Sequence, residues 1–198
     1  HNDVGNFLVF LDGEPVLIDV GVETYSAKTF SSRRYEIWTM QSTYHNCPTV
    51  NGVMQAAGRN FAARDVQSVS NDREAVFSLD LAGAYPPEAG LAKWLRTIRL
   101  DRTTNQIEVT DAFRTNNPRA AIDLSLMSHT EPTIQTGNRV AIGKATVLFD
   151  ERLTPQVEPI AITDGRLRGS WGDRVYRVLL KASQLPGETT LRMRITRT

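Results

Sequence analysis

The chain has 198 residues, 23 of them basic and 22 acidic, which gives a formal net charge of +1. This length suits one domain with a sizeable core, and the balanced charge excludes a global field that would attract nucleic acid. The single cysteine excludes an intrachain disulfide, and no apolar run reaches transmembrane length. We therefore expect one domain over residues 1–198 that binds neither nucleic acid nor a membrane.

The first predicted element is a β-hairpin between Phe7 and Ile18. Two apolar runs, FLVFL and PVLI, flank Asp12-Gly13, a dipeptide that tolerates the positive φ angles of a tight type I′ turn. Both runs are apolar on both faces, which predicts a hairpin buried between layers. Residues 21–35 follow neither the helical nor the strand period, which indicates an irregular segment.

Beyond residue 60, short segments with the composition of strands recur. They span residues 75–79, 95–100, 106–109, 122–126, 144–149, 174–180 and 190–195. Turns are predicted at Thr103-Thr104-Asn105, Asp164-Gly165 and Pro186-Gly187, and only Glu88–Leu95 suggests a helical turn. This pattern predicts an all-β fold, a large antiparallel β-sandwich of many short strands with little helix. Residues 1–60 would supply a metal-binding hairpin and loop, and residues 61–198 the remainder of the sandwich.

Three candidate metal ligands surround the predicted hairpin: His1, Asp19 and His45. With a tight turn at residues 12 and 13, Phe7 lies roughly opposite Ile18, so His1 and Asp19 fall at the same open end. His45 must then be delivered by the segment that follows. Imidazole nitrogen and carboxylate oxygen are ligands that zinc accepts in tetrahedral sites. The alternative is that these scattered residues cap turns or form hydrogen bonds in the core, since their spacing is not a compact metal motif.

The stretch from His1 to about Gln55 resembles the metal-binding part of the C-terminal β-domain of the heparinase II/III-like polysaccharide lyases. The matching residues are His1-Asn2-Asp3, Phe7, the run PVLIDVG at 15–21, Tyr25, Phe30-Ser31, Arg34-Tyr35, Ser42, His45-Asn46 and Val50-Asn51-Gly52. Beyond residue 60 the similarity is looser, chiefly at Asp111-Ala112-Phe113 and Ser170-Trp171-Gly172-Asp173. The resemblance implies that His1, Asp19 and His45 hold zinc, as a structural rather than a catalytic ion.

Members of this family cleave uronic-acid-containing polysaccharides by β-elimination, so the resemblance implies an anionic polysaccharide such as a glycosaminoglycan or alginate as substrate. The family's principal catalytic residues come from an N-terminal α/α toroid, which this sequence lacks. The chain is therefore expected to be one domain of a larger bacterial lyase, inactive or nearly so in isolation, and periplasmic or secreted. Its start at His1 rather than Met suggests a piece of a longer protein, or a mature chain after cleavage.

Tyr35 matches by position a cleft tyrosine of the alginate-degrading relatives, and a phenol can act as base and then acid if its pKa falls towards the working pH. Its spacing to the histidine differs from theirs, so an aromatic side chain packed under the loop beside Trp38 is the alternative. Arg33 and Arg34 are candidate substrate-binding residues because the guanidinium fork suits a uronate carboxylate. The alternative for both is a solvated pair of loop charges.

Two other functions stay open. An N-terminal histidine, through its amine and imidazole, can chelate copper together with a second histidine, as in lytic polysaccharide monooxygenases, although Asp19 and the His45-Asn46 pair argue against this. A non-catalytic carbohydrate-binding module with aromatic platforms, such as Trp171, is the third possibility. His129 is expected to be a surface or core histidine, and Cys47 a buried structural thiol.

Overall fold

The computed structural model describes residues 2–198, which form twelve strands, one short α-helix and six 3₁₀ turns. In chain order the strands are β1 (Val9–Leu11), β2 (Glu14–Leu17), β3 (Pro48–Val50), β4 (Arg64–Ser70), β5 (Glu74–Asp80), β6 (Leu91–Asp101), β7 (Gln106–Ser128), β8 (Thr133–Gln135), β9 (Arg139–Ile142), β10 (Ala145–Phe149), β11 (Thr154–Ala161) and β12 (Arg174–Arg197). The helix α1 spans Gly165–Trp171, and the 3₁₀ turns span Ala27–Phe30, Arg34–Glu36, Trp38–Met40, Ser42–Tyr44, Ala82–Ala84 and Pro87–Ala89. Over the same described residues, no helix has the length and apolar character needed to cross a membrane.

Strands β1 and β2 form the predicted hairpin, with Leu11 opposite Glu14. Asp12 and Gly13 take φ angles of 52° and 78°, as the turn dipeptide requires. In β2 the successive residues Val16 and Leu17, which point to opposite faces of the strand, are both buried, but Phe10 in β1 is 56% exposed. The prediction that both faces are buried is therefore confirmed at the end of β2 and wrong for β1 at Phe10.

Ten strands form one antiparallel sheet in the order β4-β5-β6-β7-β12-β10-β9-β8, with β3 added beside β7 and β11 beside β12. Strands β7 and β12 have 23 and 24 residues and pair along most of their length. Their first and last parts have different neighbours: β6 and β10 flank one end of the pair, whereas β3 and β11 flank the other. The two long strands therefore run through both layers of the sandwich.

The bend between the layers is visible in the burial of β7. The buried side chains fall on odd numbers from Val109 to Thr115 and on even numbers from Ala120 to Leu124, and residues 116–119 between them are exposed. In β12 the register shifts between Ala182 and Leu185 and again between Pro186 and Glu188. Such bulges bend a strand and change which of its faces points inward. The turn predicted at Pro186-Gly187 is therefore a bulge inside one continuous strand.

Side chains from both ends of the long strands pack into one core, which includes Val109, Leu124, Val178 and Leu191. A smaller cluster around Met127 joins the end of β2 to α1. Because alternating apolar side chains of two sheet layers meet in this core, the prediction of a large antiparallel β-sandwich with little helix is confirmed. Several segments that the sequence predicted as separate short strands are joined in β7 and in β12.

The helix α1 lies where the sequence predicted a turn at Asp164-Gly165. The Asp164 carboxylate accepts a hydrogen bond from the amide of Leu167 at 3.0 Å, which caps the helix, and another from the amide of Thr24 at 2.9 Å. An Asp-Gly pair is compatible with either a turn or the start of a helix. Here the hydrogen bond from Leu167 to the Asp164 carboxylate stabilises the start of a helix. The second contact ties the irregular segment after β2 to this helix.

Candidate metal centre

Asp3, Asp19 and His45 meet at the open end of the hairpin, where one ligand atom from each lies within 4.8 Å of the others. Asp19 lies two residues after the end of β2, and the amide of Ile18 between them donates to the carbonyl of Met127 at 2.9 Å. His45 follows the 3₁₀ turn Ser42–Tyr44 and is almost fully buried. The structure thus brings two of the three sequence-predicted ligands together, while the third, His1, lies outside the described residues.

The Asp19 carboxylate is oriented by three neighbours. Its Oδ2 lies 3.2 Å from Nδ1 of His45 and accepts a hydrogen bond from the Asn6 side chain at 2.8 Å. Its Oδ1 accepts one from the amide of Gly21 at 2.8 Å. The pKa of Asp19 lies below its ordinary value, chiefly because of the hydrogen bond with His45, and the contacts from Gly21 and Asn6 add to this against the effect of burial. The carboxylate is therefore ionised, as a metal ligand must be.

Asn46, next to His45, connects three segments of the centre. Its side-chain amide donates to the carbonyls of Phe7 and Ile18 at 2.6 and 3.0 Å, and its side-chain oxygen accepts from the amide of Met127 at 2.7 Å. Its backbone amide donates to the side-chain oxygen of Asn6 at 2.9 Å. One buried side chain thus fixes the N-terminal segment, the end of the hairpin and β7 around the candidate ligands.

A buried arginine supports the same segments from the sheet. Arg96 on β6 donates to the carbonyls of Gly5 and Asn46 at 3.0 and 2.8 Å, and it pairs with Asp111 on β7. The indole of Trp94 also donates to Asp111, at 2.6 Å. Desolvation alone would lower the pKa of Arg96, but the charge of Asp111 and the hydrogen bonds to it raise this pKa above its ordinary value. The guanidinium is therefore a permanent cation that anchors the centre.

The N-terminal segment that carries Asp3 has a further anchor in Gln55. The Gln55 side chain accepts from the amide of Val4 and donates to the carbonyl of Val4, both at 2.8 Å. Beside this segment Cys47 is 1% exposed, and burial raises the pKa of its thiol to about 12. Cys47 is thus the buried structural thiol that the sequence predicted, because a neutral, covered thiol is a poor nucleophile.

A cavity of about 380 Å³ opens onto the candidate ligands. Its lining includes Asn2, Asp3, Gly21, Asp19, Val22, Tyr25, Thr29, Phe30, Arg34, Tyr35, Thr39, Met40 and His45. Tyr35, the candidate catalytic residue, is half-buried in this wall, and the guanidinium carbon of Arg34 lies 5.4 Å from the centre of its ring. The volume falls in the range typical of small-molecule sites. The cavity therefore joins the candidate metal centre to the candidate catalytic tyrosine.

The two candidate substrate-binding arginines have different surroundings. Arg33 forms two hydrogen bonds of 2.9 Å with the Glu36 carboxylate, and its side chain is 69% exposed outside the cavity lining. Arg34 lines the cavity, and its Nε is buried without a hydrogen-bond partner in the described part of the chain. Arg34 is therefore the arginine placed to meet a ligand in this cavity.

Trp171 and His129 are neither candidate ligands nor part of the cavity lining. The indole of Trp171 donates to the carbonyl of Val20 at 2.9 Å, and the ring packs against the small core cluster beneath α1. The ring centres of His129 and Trp171 are 5.6 Å apart. Trp171 is therefore a packing residue with a satisfied polar atom, and the structure does not present it as an open platform for a sugar.

Sequence reasoning missed Asp3 as a possible ligand, although the residue stands in the matched His1-Asn2-Asp3 motif. It also missed Arg96 and Gln55, whose roles depend on contacts with segments 91 and 51 residues away. Asp111 stands out in the sequence only as part of the looser resemblance beyond residue 60. The motif itself is the one signal for Asp3, since it places a second carboxylate two residues from a candidate ligand.

Fold and site together define an all-β domain that gathers imidazole and carboxylate donors beneath an open cavity. The family model "Heparinase II/III-like, C-terminal" matches residues 1–172, so the chain belongs to this family and represents its C-terminal domain. No curated protein is significantly similar to it.

Solved structures of heparinase III share the fold. A heparinase III gene product with methylated lysines has a TM-score of 0.70 and 13% identity over 98% of this chain. The same gene product without that modification gives 0.68 and 12%, also over 98%. A crystal structure of heparinase III gives 0.64 and 17%, again over 98%. The chain spans only 29%, 30% and 29% of these three structures, respectively.

Proposed function

We propose that this chain is the zinc-binding C-terminal domain of a bacterial lyase that cleaves uronic-acid-containing polysaccharides by β-elimination. The observation that carries the proposal is the convergence of Asp3, Asp19 and His45 at a cavity whose wall holds Tyr35 and Arg34. Membership of the heparinase II/III-like family supports the reaction class. The substrate is accordingly an anionic polysaccharide.

The donor set fits zinc. One imidazole and two carboxylates supply nitrogen and oxygen donors of the kinds that zinc prefers. Nδ1 of His45 and Oδ2 of Asp19 are 3.2 Å apart. Two donors of one tetrahedral zinc ion, each about 2.0–2.2 Å from it, are separated by roughly 3.3 Å, so an ion fits this pair with little movement. The hydrogen bonds from Asn6 and Gly21 give the carboxylate the outer support that metal ligands need. His1 is the proposed further ligand.

The role proposed for the metal is structural. Zinc, when bound, supplies a fixed positive charge that clamps the N-terminal segment, the hairpin end and the His45 loop. β-Elimination needs a proton removed from C5 of the uronate, its carboxylate charge neutralised and a proton given to the leaving oxygen. None of these steps requires a metal-bound hydroxide. The clamp instead fixes the cavity wall that carries Tyr35.

Two side chains of the wall have chemical roles in this proposal. The phenol of Tyr35 exchanges protons with the sugar, which general acid–base catalysis allows when a group lies within hydrogen-bond reach of its target. The guanidinium of Arg34 neutralises the uronate carboxylate through its planar set of donors. Arg33 has a smaller part, because Glu36 already occupies two of its donors.

The remaining catalytic residues are proposed to lie in an N-terminal α/α toroid of the same protein. This chain spans less than a third of the length of the heparinase III structures that share its fold. We therefore expect the 198-residue chain to have little or no lyase activity in isolation. A periplasmic or secreted location follows from the extracellular nature of the polysaccharide.

The test has two measurements. Elemental analysis of the purified protein should find zinc at about one ion per chain. The full-length protein should release unsaturated uronate products, seen by their ultraviolet absorbance, from heparan sulfate, hyaluronan or alginate. Bound copper with a requirement for reductant would instead favour the monooxygenase alternative. Glycan binding without metal or product would favour a carbohydrate-binding module.

A further inference from the structure

Tyr25 and Phe30 are two large aromatic side chains that the fold holds in water. Their exposed fractions are 58% and 78%, and their rings meet edge to face with centres 5.5 Å apart. Burying an aromatic side chain stabilises a protein by roughly 1.5–3 kcal/mol, so an aromatic pair held in solvent forgoes a substantial gain. Such an adjacent pair is typical of a contact surface rather than of scattered surface residues.

The segment that displays these rings is well anchored. The amide of Ser26 donates to the hydroxyl of Thr29 and the amide of Thr29 donates to the carbonyl of Ser26, each at 3.0 Å, and Thr29 is buried. The amide of Thr24 is bound by Asp164 at the start of α1. The guanidinium of Arg166 on α1 covers the ring of Tyr25 at 5.6 Å. The exposure of the two rings is therefore a feature of an ordered segment.

The rings face the cavity that leads to the candidate ligands. Tyr25 and Phe30 line it together with Arg34, whose buried Nε has no partner among the described residues. The chain around the pair is polar, because Ser31 and Ser32 are exposed neighbours. The apolar surface is thus limited to two rings at the edge of a concave, partly charged site. This size suits a single sugar ring better than the broad apolar patch of a protein partner.

We propose that Tyr25 and Phe30 form an aromatic platform for one pyranose ring of the polysaccharide, with one ring against a face of the sugar and the other, nearly perpendicular to it, against the sugar's edge, and that Arg34 binds the carboxylate of this sugar. The inference rests on the proposed function and assigns its substrate-binding subsite. The apolar C–H face of the sugar packs against one of the two rings, and the hydroxyl groups stay in water. Arg34 supplies the charge that selects a uronate over a neutral sugar.

The experiment uses the full-length protein with the polymer that it cleaves best among heparan sulfate, hyaluronan and alginate. Tyr25→Ala and Phe30→Ala are each expected to raise KM about tenfold, which corresponds to about 1.4 kcal/mol of lost contact, with kcat nearly unchanged. Arg34→Gln should raise KM for the same polymer at least as much and should also lower kcat, because the same guanidinium neutralises the uronate carboxylate in the proposed reaction. The matched control is Phe10→Ala, an aromatic that is 56% exposed outside the cavity, and its KM should equal that of the unmodified protein.

Zinc content and thermal unfolding separate the outcomes. The proposal requires both to stay unchanged in Tyr25→Ala and Phe30→Ala while KM rises. Cleavage with an unaltered KM in both variants overturns the platform and leaves the proposed function standing. A loss of zinc or of thermal stability in these variants would show that the rings support the fold, which also overturns it. If the unmodified protein holds no zinc and cleaves none of the polymers, the proposed function fails first.

Discussion

Arg96 and Asp111 form a bidentate ion pair, with both contacts at 2.8 Å and side chains only 1% and 2% exposed. The same guanidinium holds the carbonyls of Gly5 and Asn46. One buried pair therefore connects β6 and β7 to two of the three segments that deliver candidate ligands, the one that contains Asp3 and the one that contains His45. The geometry of the site thus depends on a charge pair whose two members are not themselves candidate ligands.

The first prediction concerns this pair. Asp111→Asn leaves the Arg96 charge buried with a neutral partner, so we expect the free energy of unfolding to fall by about 3–5 kcal/mol. Arg99→Gln is the matched control, because it breaks a half-exposed pair with Glu74 on the same sheet and should cost less than about 1 kcal/mol. Urea denaturation measures both. Equal losses in the two variants would contradict the anchoring role of Asp111.

The second prediction concerns the metal. His45→Ala removes the only imidazole ligand among the described residues of the centre, so bound zinc should be lost and the midpoint of thermal unfolding should fall. Addition of a chelator should lower the midpoint of the unmodified protein but not that of the variant. His129→Ala, which changes a histidine outside the centre, should keep its zinc. Retention of zinc by His45→Ala, as judged by elemental analysis, would refute the ligand assignment.

The third prediction concerns Asn46. In Asn46→Asp the two donor contacts to the carbonyls of Phe7 and Ile18 are lost and a charge faces both oxygens. We expect a loss of about 2–4 kcal/mol in unfolding free energy, because buried acceptors lose their partners. Asn71→Asp is the control, since the exposed Asn71 side chain only accepts hydrogen bonds, from Arg73 and Glu74. That variant should lie within about 0.5 kcal/mol of the unmodified protein.

The local parts of the fold could be predicted from sequence. Asp12-Gly13 fixes a hairpin through backbone preferences that act within a few residues. The bulge at Pro186-Gly187 has the same local composition as a turn, and only pairing with β7 distinguishes the two. In β7 the buried positions change from odd to even numbers within the exposed stretch at residues 116–119. The apolar pattern on either side is therefore typical of two separate short strands.

Some residues of the site could likewise be predicted from the sequence, and others could not. The resemblance placed Asp19 and His45, and the structure brings them together with Asp3. Arg96 lies in a strand that also contains Arg99, and such a pattern of charges is typical of a solvent-exposed face. Nothing nearby in the sequence shows that its side chain points inward. Its partner Asp111 and its carbonyl acceptors are distant in the chain. A buried charge network of this kind becomes visible only after the strands are paired.

The fourth prediction concerns Gly187 at the bulge of β12. A Cβ at this position would lie 2.1 Å from the carbonyl oxygen of Asn117, a backbone atom that cannot move aside alone. Gly187→Ala should therefore cost at least about 1–3 kcal/mol, as overpacking does. Gly169→Ala in α1 meets nothing within 4 Å and should stabilise the protein by about 0.5–1 kcal/mol. Thermal unfolding that ranks the two variants in the opposite order would contradict the close contact.

The fifth prediction concerns the thiol. Cys47 is 1% exposed, so an aromatic disulfide reagent should not modify the native protein on the time scale of mixing. In urea the same reagent should titrate one thiol per chain, since the sequence contains one cysteine. Rapid modification without denaturant would show that the segment between His45 and β3 opens in solution.

Because β7 and β12 belong to both layers, the register between these two strands sets the register of both layers at once. A slip of one residue between them would present polar side chains to the interior on both sides of the bend, because the same two backbones line both layers. The part of the sandwich on either side of the bend has a complete set of inward-facing side chains only when the other part is present. We expect the molecule to melt in one step, and a fragment cut at the bend to remain unfolded.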